Sequence, residues 1–83
     1  MNDTIRTILG KVGGLSVASA DIATDADLYG LGLTSFASVQ LMLAIEEAFD
    51  IEFPDHLLNR KSFASIDAIE RTVDEIVKDQ KVA

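Results

Sequence analysis

The apolar residues of this chain recur at helical spacing in three stretches, separated by segments without that period. In the first stretch they occupy the i, i+3, i+4 and i+7 positions of one helical face, as Ile5, Ile8, Leu9 and Val12. We predict a helix over residues 3 to 13, capped at its start by Asn2 or Asp3. Gly13-Gly14 would end it, because glycine readily adopts the left-handed conformation that follows many helices.

The segment from residue 14 to residue 34 has no sustained period. Small and polar residues alternate there with single apolar anchors, which are Leu15, Val17, Ile22, Leu28, Tyr29, Leu31 and Leu33. A loop of this length without structure is uncommon in a compact domain. We therefore expect the anchors to hold the loop against the core.

The segment SFASVQLMLAIEEAFD, residues 35 to 50, is strongly helical and carries two apolar stripes. At about 100° per residue, the stripe expected to face the core consists of Leu41, Met42, Ile45, Ala48 and Phe49. The second stripe lies nearly opposite and consists of Phe36, Val39 and Leu43. One stripe is enough to attach a helix to a core, so the second is either covered by the long loop or exposed for binding.

Pro54 suits the start of a new element, because its missing N–H costs nothing at the first helical position. The sequence DHLLNRKSF, residues 55 to 63, then predicts a short helical turn. We expect Leu57 or Leu58 to anchor this turn to the core, together with Phe63.

A final helix is predicted after Ser65, which would cap it. Its apolar face consists of Ile66, Ile69, Val73 and Ile76. The whole pattern predicts an all-α fold of a single domain over residues 1 to 83. We expect an irregular four-helix bundle with three main helices, one short helix and a long first loop.

Composition agrees with a small globular domain and narrows its function. Apolar residues make up 48% of the chain and charged residues 25%, and the absence of cysteine excludes disulfides. The net charge of −7 would repel nucleic acid and favours basic surfaces on protein partners. We find neither a signal peptide nor an apolar run of the roughly 18 residues that a membrane span needs. We therefore expect a cytosolic monomer without membrane or nucleic-acid partners.

Ser35 is the main candidate for chemistry, although Thr34 or Ser35 could equally be a helix cap. A catalytic serine needs a base within hydrogen-bonding reach. The only histidine, His56, follows the far end of the same helix, about 20 Å away at about 1.5 Å per residue. It also lacks a second histidine or a cysteine with which to bind a metal. The residues therefore predict neither an enzyme nor a metal site.

Acidic residues border the second apolar stripe, namely Glu46, Glu47, Asp50 and Glu52. Exposed apolar residues with a polar rim are typical of protein-binding surfaces. A partner would then contribute arginine or lysine, with charge guiding the encounter and apolar contact holding the complex.

The stretch DADLYGLGLTSFASVQLMLAIEEAFDIEFPD resembles the acyl carrier proteins, and the first and last helices agree with that family in position. The family's attachment motif is usually Asp-Ser-Leu after a glycine and an apolar residue, and here it is Gly32-Leu33-Thr34-Ser35-Phe36. The resemblance implies a four-helix carrier fold. It also implies that a phosphopantetheinyl transferase attaches 4′-phosphopantetheine from coenzyme A to Ser35, with Thr34 and Gly32 as further residues of the cofactor-binding site. The partner-binding residues it implies are Phe36, Val39, Gln40, Leu43, Glu46 and Glu47.

Three positions depart from the usual family pattern. Thr34 replaces aspartate, Phe36 replaces leucine, and Gln40 stands where many fatty-acid carriers have an acid. The TSF variant most resembles the stand-alone aminoacyl carrier proteins, which are loaded by ligases related to class II aminoacyl-tRNA synthetases. The resemblance thus implies a carrier that holds an amino acid or small acyl group as a thioester for downstream enzymes. A carrier for fatty-acid or polyketide synthesis and an unmodified helical adaptor are the alternatives.

Overall fold

The computed structural model of the protein describes residues 2–12, 15 and 18–82. The long helices are α1 (Asn2–Val12), α2 (Ser35–Phe49) and α3 (Ile66–Val82). Three short 3₁₀ helices lie between them, at Ser19–Asp21, Asp55–Leu57 and Arg60–Phe63. The all-α prediction is confirmed, and no helix within the described ranges is both long and apolar enough to cross a membrane.

The segment after Pro54, predicted to form one short helical turn, forms two short 3₁₀ helices. The break lies at Asn59, whose backbone is extended and whose side-chain oxygen accepts a hydrogen bond from the Ser62 N–H at 3.0 Å. Asparagine side chains that bond to nearby backbone compete with helix continuation in this way. Phe63 is buried as expected, whereas Leu58 is 45% exposed.

The core side of α2 is narrower than predicted. Its buried residues are Ala37, Leu41 and Ile45, spaced four residues apart. Of the other residues assigned to this face, Met42 and Phe49 are half-buried and Ala48 is exposed. The predicted stripe is therefore wrong at Ala48, which instead borders a surface groove between α1 and α2 together with Ala44 and Glu47.

The faces predicted for α1 and α3 are confirmed. The completely buried side chains of the core come from every long helix and from the first loop: Ile5, Leu9, Leu28, Leu41, Ile45, Ile66, Ile69 and Val73. α1 packs against both α2 and α3. The core thus lies between α1 and the other two helices.

All six described anchors of the first loop contact the core as predicted. Ile22, Leu28 and Leu33 are buried, and Leu15, Tyr29 and Leu31 pack against the core while partly exposed. Backbone hydrogen bonds also tie the loop to the start of α3, from Leu28 N–H to Ala64 O at 2.8 Å and from Asp67 N–H to Thr24 O at 2.9 Å. The predicted anchor Val17 and the predicted helix end at Gly13-Gly14 lie outside the described residues.

Polar side chains complete the helix ends. Ser65 caps α3 as predicted, since its Oγ accepts the Ala68 N–H at 3.0 Å. Asn2, one of two expected caps of α1, is instead its first residue, and its amide donates to Glu70 Oε1 of α3 at 2.6 Å. Arg6 then joins α1 to the loop by donating to the Ser19 carbonyl at 2.7 Å.

The alternation of buried and exposed leucines on α2 allows a direct test of this packing. Leu41→Ala removes a fully buried side chain and should lower the free energy of unfolding by about 2 to 5 kcal/mol. Leu43→Ala, on the exposed side of the same helix, should change it by no more than about 0.5 kcal/mol. Urea denaturation followed by circular dichroism measures both. Equal losses from the two variants would contradict the orientation of α2.

Candidate functional site

The turn before α2 leads the chain into the helix. It places the Thr34 hydroxyl where it caps the helix and leaves the Ser35 hydroxyl exposed. Gly32 has a φ of 113°, which glycine adopts more readily than any residue with a Cβ. Thr34 is the N-cap of α2, and its Oγ1 accepts the Ala37 N–H at 3.0 Å. Ser35 is the first residue of the helix and is exposed.

The Ser35 hydroxyl is therefore not needed to cap the helix. Within the described part of the chain its Oγ takes part in no hydrogen bond, although its backbone carbonyl accepts the Ser38 hydroxyl at 2.7 Å. The sequence left open whether Thr34 or Ser35 caps α2, and the structure assigns the cap to Thr34. Ser35 presents a free nucleophilic oxygen at the positive end of the helix dipole.

A groove of about 470 Å³ opens beside Ser35, between the first loop, α2 and the segment that follows Pro54. Nine residues line it: Tyr29, Ser35, Ser38, Val39, Met42, Leu58, Asn59, Arg60 and Phe63. Most of this lining is apolar, and none of the nine is a histidine or a carboxylate. The groove offers a mainly apolar surface in which a flexible, partly apolar group fits.

A contact between Tyr29 and Arg60 joins two walls of this groove. The Tyr29 hydroxyl donates to the Arg60 carbonyl at 3.2 Å. The Arg60 guanidinium carbon lies 3.8 Å from the centre of the Tyr29 ring, as in a cation–π contact. The two residues are 31 positions apart in the chain. The sequence therefore indicated no role for either residue beyond the anchoring of Tyr29.

The second apolar stripe of α2 is exposed and is not covered by the loop. Phe36 is 73% exposed, Val39 53% and Leu43 55%. Of the two alternative core anchors, Leu57 packs against the core, whereas Leu58 is 45% exposed and lines the groove. Gln40 is also exposed. We call Phe36, Val39 and Leu43 the apolar stripe.

The acidic residues beside the apolar stripe differ in their surroundings. Glu46 is half-buried, and its Oε2 accepts the Phe53 N–H at 2.9 Å, so it closes the turn after α2. Glu47 and Glu52 are exposed. Asp50 is exposed too and ends α2 in the left-handed conformation with a φ of 53°. Glu46 thus has a structural task that the sequence did not indicate, which leaves Glu47 as the acid on α2 free to meet a partner.

His56 is exposed in the 3₁₀ helix Asp55–Leu57 and does not line the groove at Ser35. This placement agrees with the prediction that Ser35 and His56 do not form a catalytic pair.

Comparisons with known proteins point to one family. Residues 3–76 match the family model described as a phosphopantetheine attachment site. The chain is 66% identical to the aminoacyl carrier protein of Agrobacterium fabrum (strain C58), over the full length of both chains.

Solved structures agree. A chain in the crystal structure of an engineered Bradyrhizobium japonicum glycine:carrier-protein ligase, complexed with carrier protein from Agrobacterium tumefaciens and ATP, is 71% identical with a TM-score of 0.87. That match covers 90% of this chain and 97% of that one. A chain in the Bradyrhizobium japonicum ligase complexed with glycylated carrier protein is 34% identical, with a TM-score of 0.74 over 86% of this chain and 95% of that one.

The task of Glu46 in closing the turn after α2 can be tested by removing its carboxylate. Glu46→Ala leaves the part-buried Phe53 N–H without its acceptor and should lower the free energy of unfolding by about 1 to 3 kcal/mol. The matched control Glu47→Ala removes an exposed acid from the next position and should change it by no more than about 0.5 kcal/mol. Urea denaturation compares the two, and a Glu46→Ala protein as stable as Glu47→Ala would refute the assignment.

Proposed function

This chain belongs to the acyl carrier family, whose members have a phosphopantetheine attachment site, and we propose that it is a carrier of amino acids. In this proposal Ser35 bears a 4′-phosphopantetheine arm, and the amino acid is held on the terminal thiol of the arm as a thioester. The cofactor supplies a thiol to a chain that has no cysteine. The carrier presents the amino acid to other enzymes and catalyses no reaction itself.

The observation that carries this proposal is the free Ser35 hydroxyl at the first position of α2. Thr34 has taken over the cap, so modification of Ser35 would leave the helix start intact. A phosphodiester on Ser35 Oγ would lie at the end of the helix where N–H groups and the dipole favour negative charge. The residues at this end of α2 therefore fit the group that the family carries.

Attachment needs a partner enzyme, for which a phosphopantetheinyl transferase is the candidate. Ser35 Oγ would bond to the phosphorus next to the pantetheine arm of coenzyme A as the phosphoanhydride bond breaks. Adenosine 3′,5′-bisphosphate leaves, and the serine proton passes to a base. We assign that base to the transferase, because the lining of the groove contains neither a histidine nor a carboxylate.

The cargo we propose is glycine or another small amino acid, loaded by an amino acid ligase that uses ATP. Two of the similar structures contain a glycine:carrier-protein ligase, one with ATP and one with glycylated carrier protein. This chain is 71% identical to the matching chain in the first of these two structures. That identity supports a glycine:carrier-protein ligase as the partner of this chain.

The ligase would bind the apolar stripe. Three exposed apolar side chains on adjacent turns of one helix offer the buried centre that a protein interface needs, and Glu47 and Gln40 provide a polar border. Glu46 lies beside the same surface, but one of its carboxylate oxygens already accepts the Phe53 N–H. The single domain, the monomeric state and the cytosolic location stay predictions.

Modification of Ser35 is the first test of the proposed function. The purified protein is incubated with coenzyme A, Mg²⁺ and a broad-specificity transferase, and its intact mass is measured. We expect the mass to increase by one phosphopantetheine, and Ser35→Ala to remain unmodified with an unchanged circular dichroism spectrum. Ser38→Ala is the matched control, because Ser38 lines the same groove one helical turn away. This variant should still be modified at Ser35.

An unchanged wild-type mass with several transferases would contradict the carrier proposal. It would favour an unmodified adaptor that binds proteins through the apolar stripe and in which Ser35 is only the first residue of a helix.

Ligase binding provides a second test, aimed at the apolar stripe. Phe36→Ala and Leu43→Ala should each weaken binding to a glycine:carrier-protein ligase by about tenfold or more, as expected for residues at the centre of an interface. Glu47→Lys should mainly slow association and reduce its dependence on salt. Surface plasmon resonance at several salt concentrations measures both effects.

The matched control for Glu47→Lys is Glu75→Lys, which makes the same charge change at an exposed position of α3. Equal slowing by both variants would mean that net charge, and not the border of the apolar stripe, guides the encounter. Full affinity in Phe36→Ala and Leu43→Ala would place the ligase on another face.

A further inference from the structure

Arg60 is the one charged residue among the nine that line the groove at Ser35. It is exposed and, within the described part of the chain, forms no ion pair with a carboxylate. The other two cations of its neighbourhood differ from it. Lys61 lines a separate cavity with Arg71, and Arg71 is paired with Asp67 at 3.7 Å. Arg6 also lacks a carboxylate partner, but its guanidinium donates to Asn2 Oδ1 and to the Ser19 carbonyl, whereas the Arg60 guanidinium donates to no group in the described part of the chain.

Tyr29 holds this guanidinium in place. The ring lies under the guanidinium at 3.8 Å, and the Tyr29 hydroxyl binds the Arg60 backbone carbonyl at 3.2 Å. An arginine already stacked on a ring loses less conformational entropy when it binds an anion, and its planar donors match the oxygens of a phosphate. The contact therefore prepares Arg60 to bind a phosphate in the groove.

The charge at the start of α2 also suits an anion. Thr34 provides a neutral cap, so no carboxylate stands next to Ser35 to repel a phosphate. On the proposed function, attachment of the arm would add one negative charge at Ser35, in the same groove as the Arg60 guanidinium. Because Ser35 and Arg60 are both exposed, the attraction would have the modest strength of a surface ion pair.

We propose that Arg60, stacked on Tyr29, is a positioning residue that binds the phosphate of the arm attached to Ser35. This inference rests on the proposed function and adds a role for two residues outside the attachment motif. Arg60 would restrict the first bonds of the arm, so that the arm leaves Ser35 along the groove and not in all directions. It takes no part in making or breaking a covalent bond.

The wild-type protein tests this proposal before any variant is made. Apo and phosphopantetheinylated forms are labelled with ¹⁵N, and the Arg60 side-chain Nε–Hε resonance is compared between them. We expect that resonance to shift on modification and to return toward its apo position as salt is raised. An Arg60 Nε–Hε resonance that does not move would overturn the proposal.

Variants then measure the strength of the contact through the ³¹P resonance of the modified protein. In Arg60→Gln, the ratio of arms whose phosphate contacts residue 60 to arms whose phosphate does not should fall by about two- to fivefold, the range of one exposed ion pair. The ³¹P line should narrow, because the phosphate then moves more freely. Arg60→Lys keeps the positive charge but lacks the planar pair of N–H donors of the guanidinium. Its ³¹P line should therefore be broader than that of Arg60→Gln and narrower than that of the wild type. Lys61→Gln, which removes the same charge one position away, should leave the line unchanged.

Two outcomes would overturn the role of Arg60. The ³¹P line of Arg60→Gln could equal that of the wild type, or Lys61→Gln could narrow it as much, which would indicate a general effect of net charge. Intact mass before the measurement separates this failure from a failure of the proposed function, since an unmodified wild-type protein has no ³¹P signal at all. Thermal unfolding of each variant confirms that the fold is retained.

Discussion

The line of contact between α2 and the core determines how the rest of this protein is arranged. Ala37, Leu41 and Ile45 are buried along one side of the helix, and burial of the two larger side chains makes any rotation of α2 costly. That single line leaves the remaining apolar residues of the helix to other uses. Met42 and Val39 line the groove, while Phe36 and Leu43 stay exposed.

The two ends of α2 are completed by hydrogen bonds of different kinds. At the start, Thr34 accepts a backbone N–H and thereby leaves Ser35 unengaged. At the end, Asp50 takes the left-handed conformation, and Glu46 binds the Phe53 N–H beyond it. The helix is therefore fixed at both ends without the hydroxyl that the proposed function modifies, which separates the stability of the fold from the chemistry at Ser35.

Charge is distributed unevenly between the surface of α2 and the groove beside it. Glu47 lies exposed toward any protein that approaches the apolar stripe, whereas Arg60 faces the groove near Ser35. A basic partner would thus be attracted to the helix surface, and a phosphate to the groove. The Tyr29 contact with Arg60 connects these features to the first loop, so the loop that precedes α2 takes part in the site and does not only link two helices.

Sequence alone determined the helical fold, the attachment motif at Ser35 and the two apolar stripes of α2, because helical spacing and short motifs are local properties of the chain. It also identified Ser65 as a cap from its position before an apolar run. Other features depended on tertiary structure. α2 is apolar on two sides, so periodicity could not show that Ala37 is buried and Ala48 is exposed. The packing of α2 on the common core determines which side is buried. The pairing of Glu46 with Phe53 and of Tyr29 with Arg60 likewise arises only when the folded chain brings separate segments together.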